Sequence, residues 1–195
     1  MGRTKTISDE EILDRAREIF IQQGFQASTK TIAKHVGVSE GVLFQRFSTK
    51  EELFFAAMML PSIDLNELLR RPKLQGIALF EKVVLTMLEY FRKTLPVLLP
   101  LMSHPSFNFE DFAAKHPNSP LNVLRSDLTA FVMTEKQAGR VGSVDQGTAA
   151  LLLWSLAHTI AFFEHLGAHG GKFHDDMVRA AVRTLWQGLA PDASK

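Results

Sequence analysis

Residues 28–53 read STKTIAKHVGVSEGVLFQRFSTKEEL, the pattern of two short helices joined by a glycine turn. Ile32, Ala33 and Val36 recur at helical spacing over Thr29 to Val36. Gly37 supplies the left-handed residue that ends this helix, and Ser39 can cap the next. In the second helix, Glu40 to Phe47, Leu43 and Phe47 stand four residues apart and can pack inward. That leaves Glu40, Val42, Gln45 and Arg46 facing outward on a helix too short to fold alone. A second helix so placed is the one that helix-turn-helix proteins lay in a DNA major groove.

Residue by residue, Ser28 to Leu53 resembles the helix-turn-helix of the TetR family of bacterial transcriptional repressors. Thr29 opens the first helix, Ile32-Ala33 follows, and Gly37-Val38-Ser39 makes the turn. Gly41-x-Leu43-Phe44-x-x-Phe47 and Lys50-Glu51-x-Leu53 complete the run. Phe44 departs from it, standing where the family commonly has Tyr. The resemblance implies an all-α fold with an N-terminal three-helix DNA-binding head over residues 1–49 and a helical ligand-binding and dimerisation body over residues 50–195. It also implies a homodimer that binds a pseudo-palindromic double-stranded DNA operator and responds to a small ligand. By position, Lys50 matches the family's phosphate-contacting lysine, and Lys30, Glu40, Val42, Gln45 and Arg46 fall where bases are read. Thr29 and Ser39 stand at helix starts, where hydroxyl and free N–H groups favour an anion, although each also serves as a plain cap. Gly41 and Phe44 complete the expected DNA-contacting set.

The general pairing rules give Gln45 a preference for adenine, Lys30 or Arg46 for guanine, Glu40 for a cytosine amine and Val42 for a thymine methyl. Arg3 and Lys5 form a basic arm that could reach a neighbouring minor groove. Charge alone does not announce this activity. The 195-residue chain carries a formal charge of +1, and basic and acidic residues nearly balance over its first 60 positions. DNA affinity must therefore come from placement of the cations rather than from an excess of them.

Outward from the motif, helical signals continue and no strand pattern competes. Ser8-Asp-Glu-Glu11 reads as a capping box opening a helix to about Gln23, and Ser48-Thr-Lys-Glu51 as a second one opening a helix to about Leu60. Leu74 to Leu95 is a long apolar-rich helix, after which Pro96, Pro100, Pro105 and Pro117 should break the chain into short pieces. Pro120 starts a helix running toward Gly139. Ser143-Val-Asp-Gln146 opens the penultimate helix, ended by Gly167, and the last helix spans about Asp175 to Gln187.

With 46% apolar residues the chain can bury a sizeable core. Its aromatic and Met residues exceed what a small helical domain needs, although most must be ordinary packing. Met59, Phe80, Met87, Tyr90, Phe91, Met102, Phe131, Trp154, His158 and Phe162 are candidates to line a pocket for a small apolar or aromatic ligand, the cavity itself being implied by the resemblance. The closing helices supply the candidate dimer face, with Leu152, Leu156, Ile160 and Phe163 on one and Val178, Ala181, Val182 and Leu185 on the other.

No cysteine is present, so disulfides and thiolate metal sites are excluded, and Met1 to Ser8 lacks the apolar core of a signal peptide. A cytoplasmic location is the expectation. Gln146 to Phe163 is near the shortest length that can span a bilayer, but it is sided like a core or interface helix. His165 and His169 have the i, i+4 spacing of helix-borne metal ligands, yet Gly167 should end the helix between them. Neither a nucleophile elbow nor a phosphate loop occurs, so neither metal nor other cofactor nor catalysis is expected. The alternative function is a helical protein-interaction adaptor that has lost DNA reading.

Overall fold

The computed structural model describes residues 7–63, 65–70 and 74–189, and the helices are α1 (Asp9–Gln23), α2 (Thr29–Val36), α3 (Glu40–Arg46), α4 (Lys50–Ala57), α5 (Leu65–Arg70), α6 (Ile77–Met102), α7 (Phe109–Lys115), α8 (Pro120–Gln137), α9 (Gln146–His165) and α10 (Asp175–Leu189). No strand occurs among the described residues. Arg3 and Lys5 lie outside them.

The chain forms two compact units. One takes in residues 1–60 and 96–112, the other residues 61–95 and 113–195. In the first, α1 packs on α2 and α4 through Ile12, Ala16, Ile19 and Phe20, which meet Ile32, Ala33 and Val36 of α2 and Leu53, Phe54 and Ala57 of α4 in one buried apolar set. Polar staples fix the same helices. The guanidinium of Arg17 donates to the Ala57 carbonyl at 2.6 Å, satisfying an orphan acceptor at the end of α4, and that of Arg15 donates to the Val36 carbonyl at 3.2 Å.

The second unit is a helical layer built around α6, α8 and α9. Phe80, Val84, Met87, Leu88 and Phe91 of α6 are buried together with Leu124, Leu128 and Phe131 of α8 and Ala149, Leu153, Ala157 and Ala161 of α9. The small residues of α9 face this core. Of its large residues Leu153 is buried there too, whereas Leu151, Leu152 and Phe163 are exposed. Ion pairs tie the layer together: the largely buried Arg92 guanidinium donates to both Glu164 carboxylate oxygens at 2.6 and 2.7 Å, and the buried Glu81 carboxylate accepts from the more exposed Arg179 and Arg183 at 2.9 Å each.

Local sequence signals predicted the starts and ends of helices unevenly. Pro96 and Pro100 do not break the chain but lie inside α6, which continues to Met102. Each proline removes one backbone donor, but Leu95, Val97, Leu98 and Leu101 around them are all buried, and this packing outweighs the lost hydrogen bonds. The α4 cap is Thr49, whose hydroxyl accepts from the Glu52 N–H at 3.0 Å while the Glu52 carboxylate accepts from the Ser48 N–H at 2.8 Å. The expected Ser48/Glu51 box is thus shifted by one residue, and α4 stops three residues before Leu60. The α9 cap is Asp145 rather than Ser143, its carboxylate accepting from the Thr148 N–H at 2.7 Å. The short helices α5 and α7 had no strong periodic signal.

Candidate functional site

The helix-turn-helix is built by local hydrogen bonds that the sequence spells out. The Ser28 hydroxyl accepts from the Thr31 N–H at 3.1 Å and starts α2. Gly37 sits at φ 86° and ψ 29°, the left-handed region, and its N–H and that of Val38 both return to the Ala33 carbonyl, at 2.9 and 3.0 Å. This reversal is cheap for glycine and strained for any other residue. The Ser39 hydroxyl then accepts from the Val42 N–H at 3.2 Å and starts α3. Leu43 and Phe47 are buried, and Phe47 lies immediately after the helix rather than in it.

The outward face of α3 presents Glu40, Gly41, Phe44, Gln45 and Arg46 to solvent, with Val42 half-buried. Phe44 is 43% exposed, an unusual position for a bare aromatic ring. Lys30 and Gln45 are exposed and make no side-chain hydrogen bond or ion pair with any described residue. Four other candidates, Thr29, Glu40, Arg46 and Lys50, are engaged. The Thr29 hydroxyl donates to the Glu40 carboxylate at 2.5 Å, so these two residues act as a pair across the turn. Arg46 is ion-paired to Asp9 at the start of α1 and reaches the Ile7 carbonyl at 3.4 Å. Lys50 holds its ammonium 4.5 Å from the centroid of the Phe25 ring. A cation over a ring face keeps its charge and is partly fixed in place.

Gly41 differs from Gly37. It lies within the first turn of α3 with an ordinary helical backbone, and a Cβ there would meet nothing nearer than the Ser39 Oγ at 3.7 Å. No contact inside the chain demands glycine at this position. A helical glycine costs about 1 kcal/mol relative to alanine.

The first unit also encloses a buried imidazole that the sequence did not single out for the head. His104, just beyond α6, packs against Phe25 at 4.2 Å, Phe54 at 5.2 Å and Phe55 at 5.0 Å between ring centroids. Its Nδ1 accepts from the Ser106 N–H at 3.1 Å, and its Nε2 is buried with no partner.

The ten pocket candidates do not converge. Met59 and Met102 belong to the first unit and are exposed. Phe80 and Phe131 pack on each other at 4.8 Å, while Phe91 packs on Trp154 at 5.0 Å and on His158 at 5.3 Å, with Phe162 stacked beyond. Met87 is fully buried beside them. Burial holds His158 below its ordinary pKa, and burial pushes the Tyr90 hydroxyl up to about 12, where it donates to the Pro61 carbonyl at 3.1 Å.

Open space lies elsewhere. A groove of about 780 Å³ runs between α8 and α9, and of the ten candidates it includes Trp154. A second groove, of about 610 Å³ and beside α6, includes Tyr90. The dimer candidates divide as well: Leu152 and Phe163 are exposed, Leu156, Ile160, Ala181 and Leu185 half-buried, and Val178 and Val182 buried in the core. Among the described residues no group of His, Asp and Glu is arranged to hold a metal. α9 ends at His165, and His169 packs instead on Phe163 and Phe173. By length and composition α9 could cross a membrane, although its alanine face is buried in the core.

A helix-turn-helix head followed by a helical body is a fold shared with solved transcriptional regulators. Residues 12–57 match the family model of bacterial regulatory proteins, tetR family. The whole chain is similar in fold to a TetR family transcriptional regulator from Pseudomonas syringae pv. tomato, at 20% identity and TM-score 0.60 over 94% of this chain and 96% of that one. It is similar also to a Saccharomonospora viridis protein solved in complex with choline, at 15% identity and TM-score 0.70, covering 93% of this chain and 97% of the other. A third likeness is to the flavonoid-responsive regulator FrrA, at 19% identity and TM-score 0.61 over 95% and 98% of the two chains. The family match thus covers the helix-turn-helix head, and the solved regulators share the fold of the whole chain.

Proposed function

We propose that this protein is a cytoplasmic, ligand-responsive repressor that binds a pseudo-palindromic operator as a homodimer. Residues 1–49 read DNA and residues 50–195 bind ligand and dimerise, a division of labour that differs from the two packing units. The observation that carries the reading is Gly41, a helical glycine with no reason inside the chain. A duplex backbone brought against the start of α3 supplies that reason, since a side chain there would hold it off.

In this reading Lys50, Thr29 and Ser39 position phosphates, and Lys30, Val42, Gln45 and the exposed ring of Phe44 face base edges. Glu40 is pre-set by its bond from Thr29, and Arg46 must leave Asp9 before it reaches a base. Dimerisation covers the outward apolar face of α9 with its equivalent, because Leu152, Phe163 and Leu166, joined by Met177 of α10, form more exposed apolar surface than a monomer ordinarily keeps. The ligand has an apolar or aromatic body, consistent with the choline and flavonoid named for structural relatives only in being small. Its binding acts on the head through α4, the helix that follows the recognition helix.

Selection from a random DNA pool tests the proposal. The expected product is an inverted repeat whose half-sites are centred roughly 34 to 36 Å apart. An intact dimer that enriches no sequence would instead support the adaptor reading.

A further inference from the structure

We infer that the groove between α8 and α9 is an effector site for an amphipathic organic carboxylate, with Arg125 holding the acid and Trp154, Met133 and Leu151 holding the apolar body. The inference rests on the ligand-responsive reading and adds the chemical class of the ligand and the place where it binds.

The groove's volume, about 780 Å³, lies within the range of small-molecule sites, roughly 300 to 1,000 Å³. Its walls hold large apolar groups that the fold has left uncovered. Leu151 is 62% exposed and Met133 44% exposed, and the half-buried Trp154 is braced from behind by Phe91. Exposed groups of this size gathered on one concave surface are what an apolar ligand covers.

Polarity is confined to a few positions. Asn122, Arg125 and Ser126 project from one face of α8, about two to three turns before Met133. Arg125 is exposed, and its guanidinium makes no ion pair or hydrogen bond with any described residue, whereas Arg92, Arg140, Arg179 and Arg183 of the same unit are all paired to carboxylates. The groove lining contains neither Asp nor Glu. A cationic ligand would therefore meet a like charge, and an uncharged one would leave the guanidinium unused. One guanidinium matches one carboxylate in charge and in its two-pronged geometry, with the Asn122 amide and Ser126 hydroxyl within the same patch to share the acid.

The test is calorimetric titration of the full chain with 4-phenylbutyrate and, in parallel, with its neutral amide. The expected result is saturable binding of the acid, at least tenfold weaker binding of the amide, and a tenfold loss for the acid alone in Arg125→Gln. Ala130→Phe, which fills the groove from an exposed position, should abolish binding of both probes without lowering the melting temperature. Equal binding of acid and amide, or an Arg125→Gln protein that binds the acid as well as wild type, would overturn the inference. So would dissociation of the dimer by Ala130→Phe with probe binding intact, which would assign the groove to a second copy of the chain. Operator titration separates the two levels. Arg125-dependent binding that leaves operator affinity unchanged keeps the carboxylate site and refutes its regulatory role, and failure of both probes beside normal operator binding refutes the site alone.

Discussion

Arg92→Met should destabilise the protein by about 3 kcal/mol at pH 7, and most of that penalty should vanish by pH 5. The side chains of Arg92 and Glu164 are 11% and 5% exposed and share two hydrogen bonds, and Glu164 also accepts from the Phe173 N–H at 2.7 Å. This knot anchors the end of α9 to α6, so it holds the helix that carries both the groove and the proposed dimer face. Burial pushes the Glu164 carboxyl up, but hydrogen bonds from Arg92 and the Phe173 N–H outweigh it and leave it below the usual 4.5. In the wild type the stabilisation is therefore complete above that value and is lost as pH falls through the lower, folded value. Across pH 7 to 5 it stays constant.

Removing Arg92 leaves a buried carboxylate without its partner, a change that ordinarily costs about 3 to 5 kcal/mol. Protonation is the escape. Starting from a pKa of 4.5 it costs about 3.4 kcal/mol at pH 7 and about 0.7 at pH 5, at about 1.36 kcal/mol per unit, and so sets a ceiling on the penalty. Glu164→Gln has no such escape and should cost about 1 to 3 kcal/mol at either pH. Urea unfolding at fixed protein concentration measures both, because Trp154 and Trp186 lie in the same unit as the pair. A penalty for Arg92→Met that is the same at pH 5 and pH 7 would refute the account of Glu164 as a carboxylate kept charged by its partner.

Gly41→Ala should raise stability by about 0.5 to 1 kcal/mol, since the added methyl has room and favours the helix, yet weaken operator binding at least tenfold. Thermal melting and gel-shift titration on the same preparation check this. Lys50→Ala should weaken binding to all sequences alike and lower the salt slope by about one unit, while Gln45→Ala or Lys30→Ala should relax preference at particular base pairs, read from titrations at two salt concentrations. Leu152→Glu should yield monomers by sedimentation at micromolar concentration, because it places a charge in the proposed interface from an exposed position that does not perturb the core. His104→Ala should lower the stability of the first unit by about 2 to 4 kcal/mol through loss of packing against Phe25, Phe54 and Phe55, followed by proteolysis of the head.

The head was legible in the sequence because local interactions build it. Gly37 and Ser39 each act within five residues of their own position in the role their chemistry suggests, whereas the cap of α2 is Ser28 and not Thr29, whose hydroxyl goes to Glu40. What was illegible is non-local. Nothing near Arg46 in sequence indicates Asp9, and nothing near Lys50 indicates the face of Phe25. Pro96 and Pro100 carry a strong local signal that tertiary packing overrode. Around the groove the signal was misleading in a different way. Arg125 sits beside the buried Leu124 with the spacing of an ordinary solvated face, and its lack of a partner is visible only once the other arginines have been paired. Aromatic richness pointed to a pocket, whereas Phe80, Phe91 and Phe131 fill the core themselves.

The most direct test of the account is anisotropy of a labelled operator, obtained by selection, titrated with the full chain and then with ligand. A repressor built as proposed should bind one dimer per inverted repeat, lose affinity when either half-site is scrambled, and lose it at least tenfold on saturation with a ligand of the body. Binding that is indifferent to half-site sequence, or an affinity that ligand leaves unchanged, would contradict it.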